Sequence, residues 1–309
     1  MSSLLRIPLA DIDLEDRYYK ISRNHIDDAM RNSIRNFGVL DPPVVLERDG
    51  RYRVIFGFNR LDALADCGAN EVDCMVTASV DAEFFMNRAL LKCQRNESGP
   101  VGRIRILAIL RDFGLKAAPL SRIAKKGLQV PDEFVRDESL MNMVERAPVP
   151  LKDYCDSRDI QFRIIGDVMR LPRASIEAIS SWLVFAPLRV NIFKFLAEML
   201  SDILARDGSL DLVDHIRPDE STDRKAWEQH LYETIRRVRY PEYSSLRNTA
   251  ENVVRYFSAW GVRVDYPVYF EGDIVEVRMS LRKGDDPESV RKKINGVDWV
   301  RIKELLDLL

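Results

Sequence analysis

The sequence predicts an α+β protein, and three observations carry that reading. Over roughly the first 80 residues, short β-branched runs alternate with segments of helical period. The middle is a series of helical stretches parted by prolines, and near the C-terminus an alternating two-strand pattern lies between helices. At 309 residues and 46% hydrophobic, the chain is long enough for more than one core.

Taken in order, "LLRIPLADIDL" predicts a strand and a turn. "HIDDAMRNSIRNFG" then places Ile26, Met30, Ile34 and Phe37 at helical spacing, with Gly38 positioned to end the helix. "PPVVLERDGRYRVIFG" predicts a hairpin, with Val44 to Leu46 outbound, an Asp49-Gly50 turn, and Tyr52 to Phe56 returning. Leu61, Leu64 and Ala65 predict a helix that closes near Gly68, and "EVDCMV" is a further strand.

From there the pattern turns helical. "DAEFFMNRALLKCQRN" and "PVGRIRILAILRDFG" each predict a helix, the second tolerating Pro100 in its first turn and closing at Gly114. Pro131, Pro148, Pro150, Pro172 and Pro187 divide the following stretch into short helices. In "VNIFKFLAEMLSDILARDG", Ile192, Phe195, Leu196, Met199, Leu200 and Ile203 form a stripe expected to pack internally or in a dimer. After the acidic joint "DHIRPDESTDRK", two helices, two strands and two closing helices predict a small α+β unit. Expected domains are 1–98, 99–217 and 224–309.

Composition narrows the function classes. A net charge of −2 provides no global attraction to nucleic acid or anionic lipid, so any such binding must come from a local patch. Cys67, Cys74, Cys93 and Cys155 form no CxxC pair, and with only His25, His215 and His230 a zinc site is not expected. His25 reads as a polar residue at a helix start, with no nucleophile to pair with. The N-terminus lacks the pattern of a signal peptide, and no apolar run approaches a membrane span. A cytoplasmic protein without membrane contact is expected.

Three stretches carry chemistry. "SIRNFGVLDPPVV" (33–45) joins a helix end containing Gly38 to a β-branched run, "GFNRLDA" (57–63) opens a helix after a strand, and "LLKCQRNESGP" (90–100) ends one helix before another. In this order they resemble the N-terminal domain of the ParB/RepB partition family, a fold shared with sulfiredoxin. The second stretch lies where the family has Gly-Glu-Arg-Arg-x-Arg-Ala, and the third where it has a Glu-Asn-x-x-Arg box followed by proline. The resemblance implies a cytidine triphosphate held by the first two stretches, with magnesium and phosphate contacts from the third. It also implies a dimeric clamp closed on DNA by the nucleotide, and a helix-turn-helix that reads a DNA site.

Residue by residue, Gly57 and Arg60 match the family, glycine permitting close backbone approach to a phosphate and arginine a bidentate anion contact. Phe58 and Asn59 replace the glutamate and the first arginine, and Asp62 replaces the later arginine, so a weaker phosphate grip is expected. Gln94 and Arg95 match the third box. Leu91 and Lys92 replace its glutamate and asparagine, and neither supplies the hard oxygen that magnesium prefers. Lys92 can place its own cation near a phosphate instead. Sulfiredoxin chemistry is excluded, because Phe58 stands at the cysteine position and Asn59 at the histidine position.

The expected phosphate-binding residues are therefore Gly38, Gly57, Asn59, Arg60, Gln94 and Arg95, with CTP as the implied ligand and magnesium disfavoured. Residues 86–126 hold ten Lys/Arg against Glu97 and Asp112, a net of +8. Arg88, Lys92, Arg103, Arg105, Arg122, Lys125 and Lys126 are the expected contacts to a DNA backbone. The opposing reading is a set of solvated helix faces paired with acids elsewhere.

Against a sequence-reading helix after "PLSRIAKK" stand Pro131, which interrupts, and the acidic "DEFVRDE". Tyr256, Phe257, Trp260, Tyr266, Tyr269 and Phe270 read first as core and second as base-stacking aromatics. "RRVRY" (236–240) reads equally as a solvated helix face or a phosphate contact.

The expected function is a non-catalytic DNA-binding or nucleotide-binding switch or adaptor, as a homodimer. The alternatives are a residual CTPase or nuclease, or a scaffold that contacts a protein partner through its C-terminal domain.

Overall fold

The structure, a computed structural model, describes residues 3–24, 26–218, 223–281, 283–284 and 286–309. His25 and residues 219–222 of the acidic joint lie outside the described residues. Two compact units divide the chain, Met1–Tyr232 and Glu233–Leu309.

The first unit begins with β1 (Ser3–Pro8), a 3-10 turn, β2 (Ile12–Asp13), α1 (Asp28–Phe37), β3 (Val44–Arg48), β4 (Arg51–Phe56), α2 (Phe58–Asp66) and β5 (Glu71–Thr77). The strands form one mixed sheet in the order β1-β5-β3-β4-β2. β1 pairs antiparallel with β5, β3 antiparallel with β4, and β3 parallel with β5. The hairpin turns where expected, because Asp49 and Gly50 both take positive φ, which matches the twist of the strands they join. Asp27 caps α1 by accepting from the Met30 N–H at 2.7 Å, and Gly38 ends it in the left-handed region.

Helices follow: α3 (Ala82–Gln94), α4 (Pro100–Asp112), α5 (Ala117–Ile123), a π-helical turn (Ala124–Leu128), α6 (Glu133–Arg136), α7 (Glu138–Arg146), α8 (Val149–Ser157), α9 (Phe162–Met169), α10 (Arg173–Phe185), α11 (Val190–Asp207) and α12 (Asp211–Asp214). Sheet and helices share one core. Phe85 of α3 is fully buried, its ring 5.6 Å from Phe56 of β4, 5.7 Å from Tyr19 and 6.0 Å from Phe113. Truncating a ring so placed costs about 3–5 kcal/mol.

α4 is locked at its start from outside. Its N-cap, Gly99, has no side chain to offer, and buried Asp156 of α8 accepts from the N–H groups of Val101 (2.7 Å) and Gly102 (3.3 Å) instead. A Cβ at position 99 would stand 2.7 Å from the Asp156 Cα, so glycine is required for this approach. Burial pushes the Asp156 carboxyl up to about 6, even though both N–H groups favour its charged form.

The stripe expected on α11 is buried at Ile192, Leu196, Met199, Leu200 and Ile203, but Phe195 is exposed. α9 packs against α11, and Tyr154 of α8 lies 4.8 Å from Phe193, so the buried arc is turned toward Phe193 and Ala197.

α13 (Arg224–Arg239) leads into the second unit, which contains α14 (Pro241–Ala259), β6 (Val262–Asp265), β7 (Glu276–Met279), α15 (Pro287–Asn295) and α16 (Trp299–Leu306). β6 and β7 pair antiparallel over α14, and Ala250, Val253, Phe257, Val264, Phe270 and Leu305 fill the core. Of the aromatic group expected there, Phe257 and Phe270 are buried, whereas Trp260 and Tyr269 are 73% and 72% exposed. They lie in turns at the ends of α14 and β6, where the strand and helix periods that bury their neighbours no longer apply. Among the described residues, no helix is long and apolar enough to cross a membrane.

Candidate functional site

A cleft of ≈ 760 Å³ opens where the N-terminus of α2 meets the C-terminal half of α3. Gly57 is among its lining residues. It takes φ 103° as the N-cap of α2, and a Cβ there would meet the Pro43 Cα at 2.9 Å. Glycine thus allows the backbone both its left-handed turn and its approach to the 42–43 segment. Behind it, Phe58 is buried, so this position is structural in the present chain.

Five cationic side chains line the cleft: Arg23, Arg60, Arg88, Lys92 and Arg95. They come from three separate parts of the chain. Arg60 reaches Asp41, with Nη1 2.6 Å from Oδ2, and also donates to the Asp41 carbonyl. Lys92 pairs with Glu97 at 2.6 Å. Arg88 stacks over the Phe84 ring at 5.1 Å, and Arg95 has no carboxylate partner among the described residues. The two cleft carboxylates, Asp41 and Glu97, are thus already engaged with cations of the same wall.

Arg23 is the residue that sequence reasoning missed. Its Nη2 donates to Asp159, while its buried Nε has no hydrogen-bond partner among the described residues. Asn59 holds the segment in place, its Nδ2 donating to the Arg23 carbonyl at 2.8 Å, and the Arg23 N–H donates to the Glu97 carbonyl at 2.9 Å. No periodicity marks "SRN" (22–24) as functional; only the pairing with α2 and the 95–97 turn brings it to the cleft.

Gly57, Asn59, Arg60, Lys92, Arg95 and Arg88 meet in this wall, whereas Gly38 and Gln94 are not among its lining residues. Gly38 caps α1, and Gln94 is exposed at the end of α3. Asp62, expected to weaken an anion site, does not enter the cleft. It accepts from Arg17 at 2.8 and 2.9 Å, and Lys20 lies 3.6 Å away. Its charge is neutralised by residues that do not line the cleft.

The remaining expected cations divide by environment. Arg105 donates to Glu145 at 2.7 Å and to the carbonyls of Arg17 and Tyr18, clamping the 17–18 segment to α4. Arg103 donates to the Leu128 carbonyl at 3.3 Å, and Arg111 to the Val135 carbonyl at 2.8 Å. By contrast, Arg122, Lys125 and Lys126 stand exposed along α5 and the π-helical turn.

The cleft has the chemistry of a binding site. Its cations and the N-terminus of α2 suit an anion, and its carboxylates are tied in ion pairs. The mixed sheet thus carries a cationic cleft at the turn from β4 into α2.

Residues 2–91 match the family model of the ParB N-terminal domain. No curated protein matches the chain. Among solved structures, the chain is similar to the C-terminally truncated chromosome-partitioning protein ParB from Caulobacter crescentus complexed to the centromeric parS site. Identity is 17%, with 63% of this chain and 97% of that chain covered and a TM-score of 0.27. The same truncated protein complexed with CTP-γ-S gives 17% identity, coverages of 59% and 99%, and a TM-score of 0.26. A Pnob8-like ParB-N domain gives 12%, 67% and 96%, and 0.34.

Proposed function

We propose that this chain is a ParB-like DNA-binding protein whose N-terminal cleft takes a nucleoside triphosphate, CTP by resemblance, as a non-catalytic switch. The observation that carries this reading is the meeting of Gly57, Arg60, Lys92 and Arg95, drawn from two of the resemblance-bearing stretches, around one cleft. The first stretch reaches the same wall through Asp41 and Pro42.

In this proposal Arg60, Lys92, Arg95 and Arg23 hold the phosphates, with Arg60 and Lys92 released from Asp41 and Glu97 as the ligand arrives. The bound nucleotide would supply the negative charge that reorganises those pairs. Magnesium does not suit the donors present. Leu91 and Lys92 offer it no oxygen, Asp41 and Glu97 are held by cations, and the described residues contain no group of three metal-ligating side chains. Hydrolysis is accordingly not expected.

Arg122, Lys125 and Lys126 would carry DNA backbone contacts from α5 and the π-helical turn. The 1–98, 99–217 and 224–309 division, the homodimer, the protein partner of the C-terminal domain and the cytoplasmic location are parts of the same proposal.

The test is a titration of the full chain with each of the four ribonucleoside triphosphates, with magnesium and with EDTA. Selective CTP binding that survives EDTA and is lost in an Arg60→Ala/Arg95→Ala double variant is expected. Absence of binding by any triphosphate would overturn the nucleotide reading, and magnesium-dependent phosphate release would restore the CTPase alternative.

A further inference from the structure

The second unit carries a groove that the proposed function does not use. Two adjoining cavities, ≈ 270 Å³ and ≈ 370 Å³, share Arg236, Tyr243, Arg247 and Glu251 as their common wall. One end is cationic, reaching Arg237 and Asn248; the other is aromatic and apolar, reaching Tyr266, Val268 and Tyr269.

The charges along the groove do not cancel equally. Glu251 accepts from the Arg247 Nε at 2.7 Å, and Glu233 lies 4.0 Å from the same guanidinium. Asp265 is held by Arg263 at 3.0 Å and Arg278 at 3.7 Å. All three groove carboxylates are thus paired, whereas Arg236 and Arg237 have no carboxylate partner among the described residues. The Arg236 guanidinium carbon instead lies over the Tyr243 ring, 5.2 Å from its centroid.

The aromatic end is held outward by the fold. The Tyr243 hydroxyl donates to the Val268 carbonyl at 3.0 Å, and Phe270, at φ 56°, turns its ring into the core against Tyr266 at 5.5 Å. A left-handed conformation at phenylalanine is unfavourable, and the burial of its ring offsets it. The consequence is that Val268 and Tyr269 project into solvent, 68% and 72% exposed, from a turn anchored on both sides.

We infer that this groove binds a short single-stranded nucleic acid segment, its phosphates on Arg236 and Arg237 and a base stacked on Tyr269. Unpaired arginines next to a fixed exposed aromatic match a backbone phosphate next to an unstacked base; an acidic peptide would use the arginines and leave the aromatic end idle. A duplex keeps its bases stacked inside, so it cannot use the aromatic end.

The experiment measures anisotropy of a fluorescent hexathymidylate on the full chain, followed by photo-crosslinking with a 5-iodouracil-substituted oligonucleotide. Arg236→Ala/Arg237→Ala is expected to weaken hexathymidylate binding at least about tenfold, and Tyr269→Ala about fivefold, while Tyr269→Trp restores it. Arg60→Ala should leave this binding unchanged, which separates it from the N-terminal cleft. These side chains lie at the surface or on a cavity wall, and unchanged thermal melting verifies that each variant folds. Crosslinks at Tyr266 or Tyr269 would support the groove. Affinity unchanged in both variants, crosslinks confined to residues 1–232, or a glutamate hexapeptide competing as well as hexathymidylate would overturn it.

Discussion

Arg95 and Arg105 stand ten residues apart in one basic run, yet their surroundings differ in kind. Arg95 ends α3 at the wall of an open cleft, without a carboxylate partner among the described residues. Arg105 lies within α4 and binds Glu145 and two backbone carbonyls. A net of +8 over residues 86–126 therefore overstates the charge available to an anion. Arg103, Arg105 and Arg111 hold segments of the fold together. Arg88, Lys92 and Arg95 face the cleft, and Arg122, Lys125 and Lys126 face solvent.

The sharpest break between the two environments is thermodynamic. Arg105→Ala is expected to cost about 2–3 kcal/mol in chemical denaturation, because Glu145 and the carbonyls of Arg17 and Tyr18 lose a shared donor. Arg95→Ala should shift stability by less than about 0.5 kcal/mol and weaken triphosphate binding about tenfold in calorimetry. If the two substitutions had the same effect on melting, the distinction between clamp and ligand cation would fail.

A second test separates cleft from surface. Changing Arg122, Lys125 and Lys126 together to alanine should leave triphosphate binding intact while lowering the slope of log affinity for duplex DNA against log salt by about 2–3. An unchanged slope would place the DNA contacts elsewhere.

Smaller in size is the effect of Asp41, which occupies Arg60 in the absence of a ligand. Asp41→Asn removes the carboxylate from that guanidinium while its bond to the backbone carbonyl of residue 41 remains, and triphosphate affinity should rise about threefold. A fall in affinity would show that Asp41 orients Arg60 instead of competing for it.

A pH dependence is expected at the α4 cap. Burial raises the Asp156 carboxyl to about 6, above its ordinary value near 4. A folded-state value raised in this way contributes stability that is fully present below about pH 4 and is lost as pH rises through about 6. Asp156→Asn keeps an acceptor for Val101 and Gly102 without that ionisation. Its stability relative to the unsubstituted chain should therefore improve from pH 4 to pH 7 in denaturant titrations; a constant difference would mean that Asp156 stays ionised.

The local order of the chain could be read from its residues. The β3–β4 hairpin follows from Asp49-Gly50 between β-branched runs, α1 from the Met30, Ile34 spacing with Gly38 after it, although Ile26 of the same expected stripe lies before the Asp27 cap and outside the helix, and α4 from Pro100 and Gly114 at its ends. Such signals act within one or two turns of helix or strand, so they survive in the sequence alone. Gly57, Arg60 and Arg95 likewise stand in short motifs, and the fold brings the three to one cleft.

What tertiary structure decided was partnership. Arg23 enters the cleft because Asn59 holds its carbonyl across 36 residues, Asp62 leaves it because Arg17 and Lys20 draw the carboxylate away, and Arg105 is removed from the surface by Glu145, 40 residues on. Tyr269 projects because Phe270 turns inward. A charge or an aromatic ring acts according to its partner and its exposure to water, and both are set by contacts between distant parts of the chain.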